Sequence, residues 1–293
     1  MRKRVAYIEF PMENDKNTIE KRIDGLNIRF STKVHSSVGA PSNAYIDVFN
    51  LNRTDMDYLA TSASTYLKKQ RFFRLYAGYE DDVNLVFSGQ LLEALPEGNP
   101  DVILKIKGLS SLKWWGENMS VSKDNTNMLD LISTATEEMG YVLDVDDATR
   151  NSELLSRTKE SYSYTGSPMG LLEDIEAEMG GVYADEKSIY VVPENETVHV
   201  YSPALVNYKK ILLINKNTGM IGIPAPTVAG CTVKILMNTS IRCGDMIELK
   251  SERIPSINGR YFVISLAHDG EVRGKNWYTT LNCARFGGAN GQQ

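Results

Sequence analysis

The chain is poor in the residues that build metal and redox sites. Three cysteines (Cys231, Cys243 and Cys283) and three histidines (His35, His199 and His268) are scattered through 293 residues. No two cysteines form a CxxC pair and no histidine completes a ligand set, so no metal is expected. The cysteines read instead as small buried or half-buried thiols. No apolar run approaches the ~20 residues of a membrane-spanning helix. The start, Arg2-Lys3-Arg4, is basic, but Val5–Phe10 is too short and polar for a signal core, so synthesis in the cytoplasm is expected. Neither a Walker A loop nor a GxGxxG loop occurs, and no cofactor is expected. Basic charge is not in excess either. A net charge of −5 argues against a general nucleic-acid binder. It is compatible with a wall that DNA passes, because a neutral or acidic surface does not hold phosphate.

What the chain has is strand-and-turn patterning at both ends. Hydrophobic residues make up 42% and charged residues 24%, an ordinary globular balance, and the length suffices for two or three domains. Near the C-terminus, short runs at Thr232–Leu236, Met246–Leu249, Arg260–His268 and Trp277–Arg285 are separated by Gly244-Asp245, by Asn258-Gly259 and by a polar loop over Asp269–Lys275. That spacing predicts a small antiparallel barrel or sandwich, with Asn258-Gly259 as a turn. The N-terminal part reads similarly, with strands over Val5–Phe10, Leu26–Lys33, Ala44–Phe49, Phe72–Tyr79, Leu85–Leu92 and Val102–Lys107. Within it, Leu51–Ala63 reads as a helix capped by Asn52. Ser88-Gly89 marks a bulge or a close approach.

The middle differs. Met128, Leu131, Ile132, Ala135 and Met139 form a helical stripe ended by Gly140. Ser167 and Pro168 open a second helix, with Leu171, Leu172, Ile175 and Met179 as its stripe and Gly180 at its end. The two stripes align at a constant offset, as a twofold helix-plus-strand repeat or as two similarly capped helices. Val182–Ala184 and Ile189–Val192 read as a hairpin about Asp185-Glu186-Lys187. The expected fold is therefore α+β, mainly β: two antiparallel barrels, residues 1–111 and 196–293, flank an α+β domain, residues 112–195.

The order of the C-terminal motifs carries a resemblance. Gly222-Ile223-Pro224 is followed by Arg242-Cys243-Gly244-Asp245, Ile254-Pro255, Asn258-Gly259-Arg260-Tyr261, His268-Asp269-Gly270 and Arg273–Thr279. This succession resembles the baseplate hub proteins of contractile phage tails and tail-like particles, in which Pro often stands where this chain has Cys243. Asn43–Gln90 is similar to the first tube-forming domain of that family. The resemblance implies a homotrimeric ring whose paired tube-type barrels give near-sixfold symmetry. Such a ring joins a trimeric central spike to the sixfold tail tube or its initiator, contacts other baseplate proteins, and lets DNA through without binding it. It implies a place in the virion, after assembly in the host cytoplasm.

Catalytic signals are thin. Glu137-Glu138 and Glu173–Glu178 sit on helices, where carboxylates face water. The stretch Gly166-Ser167-Pro168-Met169-Gly170 is explained by a helix start, and His268-Asp269 alone does not make a triad. No catalytic residue is expected. Two other functions stay open: a tail-borne cell-wall hydrolase, and a barrel that binds single-stranded nucleic acid. Only the Gly-rich Phe286–Gln293 follows Arg285, so an appended hydrolase domain is not expected. A nucleic-acid barrel needs basic grooves with aromatic platforms, and no such cluster stands out. Candidate interface residues are Trp114 and Trp115, read as neighbours on a strand facing opposite ways, and the mixed charges Arg242, Glu248 and Arg253. Trp114-Trp115 reads either as a wedge between domains or as a subunit contact.

Overall fold

The computed structural model describes residues 2–12, 15–62, 71–98, 102–180, 187–205 and 211–286. The first part of the chain forms β1 (Arg4–Met12), β2 (Asp15–Ile23), β3 (Ile28–His35), β4 (Asn43–Phe49), α1 (Arg53–Ser62), β5 (Phe72–Tyr79), β6 (Asp82–Glu97) and β7 (Ile103–Leu109). Period-2 alternation decides burial. In β4, Ala44, Ile46 and Val48 face inward while Tyr45 is exposed. Asn52 caps α1, its Oδ1 accepting the Asp55 N–H at 2.8 Å. The sequence reading missed β2. Among its residues only Ile19 and Ile23 are apolar, and it lies at the end of the sheet, paired with β1 alone.

The middle forms α2 (Leu112–Gly116), β8 (Met119–Asn127), α3 (Met128–Met139), β9 (Val142–Val145), α4 (Asp147–Arg150), α5 (Glu153–Ser156), β10 (Thr158–Gly166), α6 (Pro168–Glu178), β11 (Tyr190–Glu194) and β12 (Thr197–Tyr201). The caps are as read. Asn127 accepts the Asp130 N–H, Ser167 accepts the Gly170 N–H, and Gly140 takes the left-handed conformation at φ 64°. Each helix follows directly on a strand, and β8 and β10 pair antiparallel over their whole length. The similarity between the stripes thus extends to two strand–helix units. Neither strand of that ribbon was expected, because polar residues dominate both. Val182–Ala184 lies outside the described residues. Ile189–Val192 leads into a hairpin of β11 with β12, which turns at Asn195-Glu196.

The last part forms β13 (Leu212–Ile214), β14 (Met220–Pro226), β15 (Gly230–Leu236), β16 (Met246–Leu249), β17 (Gly259–Glu271) and β18 (Trp277–Arg285). Asn258-Gly259 does not itself reverse the chain. A longer loop with a 3-10 turn at Pro255–Ile257 joins β16 to β17, and Asn258 pins it by accepting the Ser251 N–H and donating to the Ser251 carbonyl.

The fold class expected from the sequence is the one observed: mainly β, antiparallel, with the helices between. The main sheet runs β14-β15-β18-β17-β3-β4-β7-β6-β5-β1-β2, with β16 on β17 and β13 on β16. Strands β1 to β7 all send side chains into one core around Phe10, Phe73 and Phe87, which a flat sheet could not do. A second core gathers β13 and β15–β18 around Tyr261 and Phe262, and a third lies between α3, α6 and β11–β12. The described ladders leave β14, β2 and the short β13 as open ends.

The two wrapped halves share a seam, because β3 pairs with β17 from Arg29↔Glu271 to His35↔Ser265. Side chains cross it. Phe30 of β3 enters the first core and Val34 the second, while Trp277 of β18 packs edge-on against Phe30 at 5.7 Å in the first. His268 sits in the seam, 3% exposed, sharing a 2.9 Å hydrogen bond with Thr279 Oγ1. Asp269, next on the strand, faces the other way. Burial holds the His268 imidazole down, to about 4. Its usual value lies near 6.5, so the unfolded chain binds the proton first as pH falls. The histidine's contribution to stability is therefore complete above pH 6.5 and is lost progressively toward pH 4, by on the order of 3 kcal/mol. Urea titrations at pH 7 and pH 4 should show a loss that shrinks in His268→Asn; an equal loss in both proteins contradicts the assignment.

Candidate functional site

Tight side-chain capping braces the two walls of a groove beside β14. Asn215 and Thr218 cap each other reciprocally in the turn before β14. On the opposite wall, Ser251 Oγ accepts the Ile254 N–H and Asn258 braces the loop. Between them lies a groove of about 1170 Å³, lined by Met220, Gly222, Ile223, Glu248, Arg253, Pro255, Asn258 and Gly259, among others. The strand β14 bulges there. Its pairing with β15 jumps from Ile221↔Lys234 to Ala225↔Thr232, and Gly222 takes φ 74° in between. The bulge pushes Ile223 into the open, 51% exposed.

Three separate sequence motifs, Gly222-Ile223, Pro255 and Asn258-Gly259, thus converge on one surface with two of the candidate interface charges. Glu248 is half-buried, with Lys250 Nζ 3.0 Å from its carboxylate, and Arg253 is exposed. Arg242 does not join them. It lies outside the groove, beside Glu194, its own N–H held by Asp245 Oδ2 at 2.9 Å. The exposed Ile223 went unmarked in the sequence, where a β-branched residue before proline reads as ordinary strand.

The tryptophan pair lies elsewhere. Trp114 and Trp115 belong to the short helix α2, not to a strand, which corrects the expected geometry. Neighbours on a helix are about 100° apart, so both can be half-buried, and both pack on the third core. Trp114 meets Tyr141 edge-on at 6.2 Å and carries Lys113 Nζ over its face at 4.3 Å. The Leu112 N–H donates to Gln90 Oε1 at 3.1 Å, fastening α2 to β6. Pro11, Met12 and Phe72 of the first sheet line the adjoining cleft of about 540 Å³.

A third surface is the uncovered face of the sheet across the seam. Cross-strand neighbours there alternate in sign, with Glu271 beside Arg29, Arg29 beside Asp47 and Asp47 beside Lys105. The Arg29 guanidinium lies 3.4 Å from both the Glu271 and Asp47 carboxylates. In the next row Asp269, Ser31, Tyr45, Lys107 and Glu93 follow one another, with Lys107 Nζ 3.9 Å from Glu93. Each of these cations thus has an anion beside it.

All three cysteines are buried and free, and Cys231 and Cys283 face each other in register. Burial pushes the Cys243 thiol well up, away from reactivity. Among the described residues, no His/Cys/Asp/Glu group is disposed to hold a metal, and no helix is long and apolar enough to cross a membrane.

A family model described as Baseplate hub gp41 matches residues 7–283. The chain belongs to this baseplate hub family. No curated protein matches it in sequence. Among solved structures, the 43 kDa tail protein of prophage MuSo2 from Shewanella oneidensis superposes with a TM-score of 0.63 at 7% identity, over 97% of this chain and 98% of that one. A tail protein from Neisseria meningitidis MC58 gives 0.63 at 7%, over 97% of each. The E. coli c3393 protein, a type VI secretion component described as similar to the T4 tail proteins gp27 and gp5, gives 0.58 at 10%, over 89% and 73%. At such identities the likeness is one of fold. Family membership makes the hub chain a structural component of a phage-type tail baseplate.

Proposed function

We propose that three copies of this hub chain close into a ring on the axis of a contractile tail, joining a trimeric central spike to the sixfold tube. In this reading residues 1–111 and 196–293 are the two tube-type units, so three chains present six. Residues 112–195 stand outside the ring and meet other baseplate proteins. The chain is assembled in the host cytoplasm and performs no catalysis. One observation carries the reading. A single antiparallel sheet runs through the seam from one wrapped half to the other, with one face buried in two cores and the opposite face bare across β17, β3, β4 and β7. Two units hydrogen-bonded edge to edge make a continuous wall segment, which separate domains on a linker would not.

The bare face lines the passage. Arg29, Lys105 and Lys107 on it sit beside carboxylates, so a phosphate backbone gains little by displacing those partners, and DNA slides past. Ring closure needs a self-complementary contact of large area. The groove beside β14, with Ile223 at its rim and Glu248 and Arg253 in it, is suited to take an edge of the neighbouring copy. The Trp114–Trp115 cleft fits a wedge between units better, given its ties to β6.

Light scattering tests the ring. The wild type with its spike should show a trimer, and Arg253→Glu should weaken it about tenfold or more while the free chain stays folded. Arg242 is a poor probe because reversing it disturbs the buried Glu194. A wild type that stays monomeric with spike and tube protein present would falsify the ring. Wall-degrading turnover by the purified chain would favour the hydrolase instead.

A further inference from the structure

The turn of the β11–β12 hairpin, Glu194-Asn195-Glu196, touches all three parts of the molecule. Asn195 and Glu196 both take positive φ, 50° and 62°, which lets a two-residue turn reverse the chain. Glu196 receives Arg74 of β5 through Nε at 2.8 Å and Nη2 at 2.6 Å, with both side chains largely buried. Its carbonyl accepts the Val142 N–H at 3.0 Å. Asn195 Nδ2 donates to the Leu85 carbonyl of β6 at 3.3 Å. On the far side Glu194, 8% exposed, lies against the Arg242–Asp245 turn. Its Oε1 accepts from Asn195 Nδ2 at 3.3 Å, and its Oε2 has no hydrogen-bond partner among the described residues. The Tyr201 ring, at the other end of the hairpin, sits where any Cβ on Gly244 would have to go.

A buried carboxylate oxygen with no donor is costly when charged and far cheaper when protonated. We propose that this hairpin is a pH-gated clasp: with Glu194 protonated its tip holds the helical unit against both halves of the sheet, and loss of the proton frees the tip. The groups facing Glu194 are Arg242, Asp245 and Cys243, and those around Glu196 are Arg74, Tyr76 and Tyr141. Burial pushes the Glu194 carboxyl up to about 7, with Arg242 pulling it down and Asp245 pushing it further up. A freed tip returns the carboxyl to the ordinary range near 4.3. The clasped form therefore holds the proton more tightly, and opening becomes easier as pH rises between those values. From pH 6 to pH 8 the open-to-closed ratio should grow roughly tenfold.

Hydrogen exchange on the full chain, corrected for the intrinsic pH effect, reads this directly. Protection of the Val142 amide, whose acceptor is on the tip, should fall about tenfold from pH 6 to pH 8. Protection of the Ile46 amide in the first core should not. Glu194→Gln should abolish the change at Val142. Equal protection at both pH values in the wild type, or the same fall in Glu194→Gln, overturns the clasp. Glu196→Gln guards against a Glu194 variant that fails to fold. It should lower Val142 protection at both pH values and leave the tenfold ratio intact; unchanged protection there also overturns the proposal.

Discussion

Replacing Glu176 by alanine should destabilise the chain by about 3 kcal/mol. The carboxylate is 1% exposed, in α6, and reaches out of its own unit. It accepts the Ser37 hydroxyl at 2.9 Å and the Val38 N–H at 3.0 Å, both on the loop between β3 and β4, and the Val191 N–H at 3.5 Å. Val38 is itself buried in the third core. Burial pushes the Glu176 carboxyl up, and the three donors pull it back. Alanine leaves all three donors without an acceptor in a place water does not reach, and that penalty exceeds the worth of any one bond. Glutamine keeps one acceptor oxygen and should lose less. Urea denaturation at pH 7 measures both. A loss below about 1 kcal/mol for alanine would mean that the loop re-solvates freely.

The second large effect is expected at Gly270. A Cβ on this residue would fall 2.4 Å from the Phe30 ring and 2.9 Å from the Trp277 ring. Gly270 lies directly between them, paired with Phe30 on one side and Trp277 on the other. The two rings meet over the bare backbone, so Gly270→Ala must push one of them out of the first core. Overpacking of this kind costs about 3 kcal/mol. Gly116, with nothing within 4 Å of its would-be Cβ, is the control and should tolerate alanine within about 0.5 kcal/mol. Similar losses at both positions would show that crowding at the rings is not the cause.

Gly270 shows how much the sequence discloses. As part of His268-Asp269-Gly270 it counted toward a family resemblance, and the structure supplies the reason: only a residue without a side chain lets two aromatic rings cover that strand. Elements with strong local signals were legible. Asn127 and Ser167 as caps, Gly140 as a stop, and the alternation in β4 each answer a local backbone need. Strands such as β2, β8 and β10 were not, because they sit at an edge or in a two-stranded ribbon and bury only one or two apolar side chains each, too few to show an alternation. The Trp114-Trp115 geometry was misread because a five-residue helix has too short a period to show. Ties between units were also invisible. Nothing near Glu176 in sequence points to Val38, and nothing near Glu196 points to Arg74. At the groove the motifs could be read, but not that three of them meet on one surface.

The seam has a consequence for how the chain is made. Arg29 pairs with Glu271, so β3 has only one neighbour, β4, until the distant β17 has left the ribosome. Through that interval Phe30 lacks Trp277, and the first unit carries an unpaired strand of alternating apolar residues, the kind of edge that recruits foreign strands. Contacts so distant in sequence also form slowly. A nascent chain halted before Gly259 is therefore incomplete in its first unit as well as its last, and it is the species on which a chaperone, or an aggregate, would act.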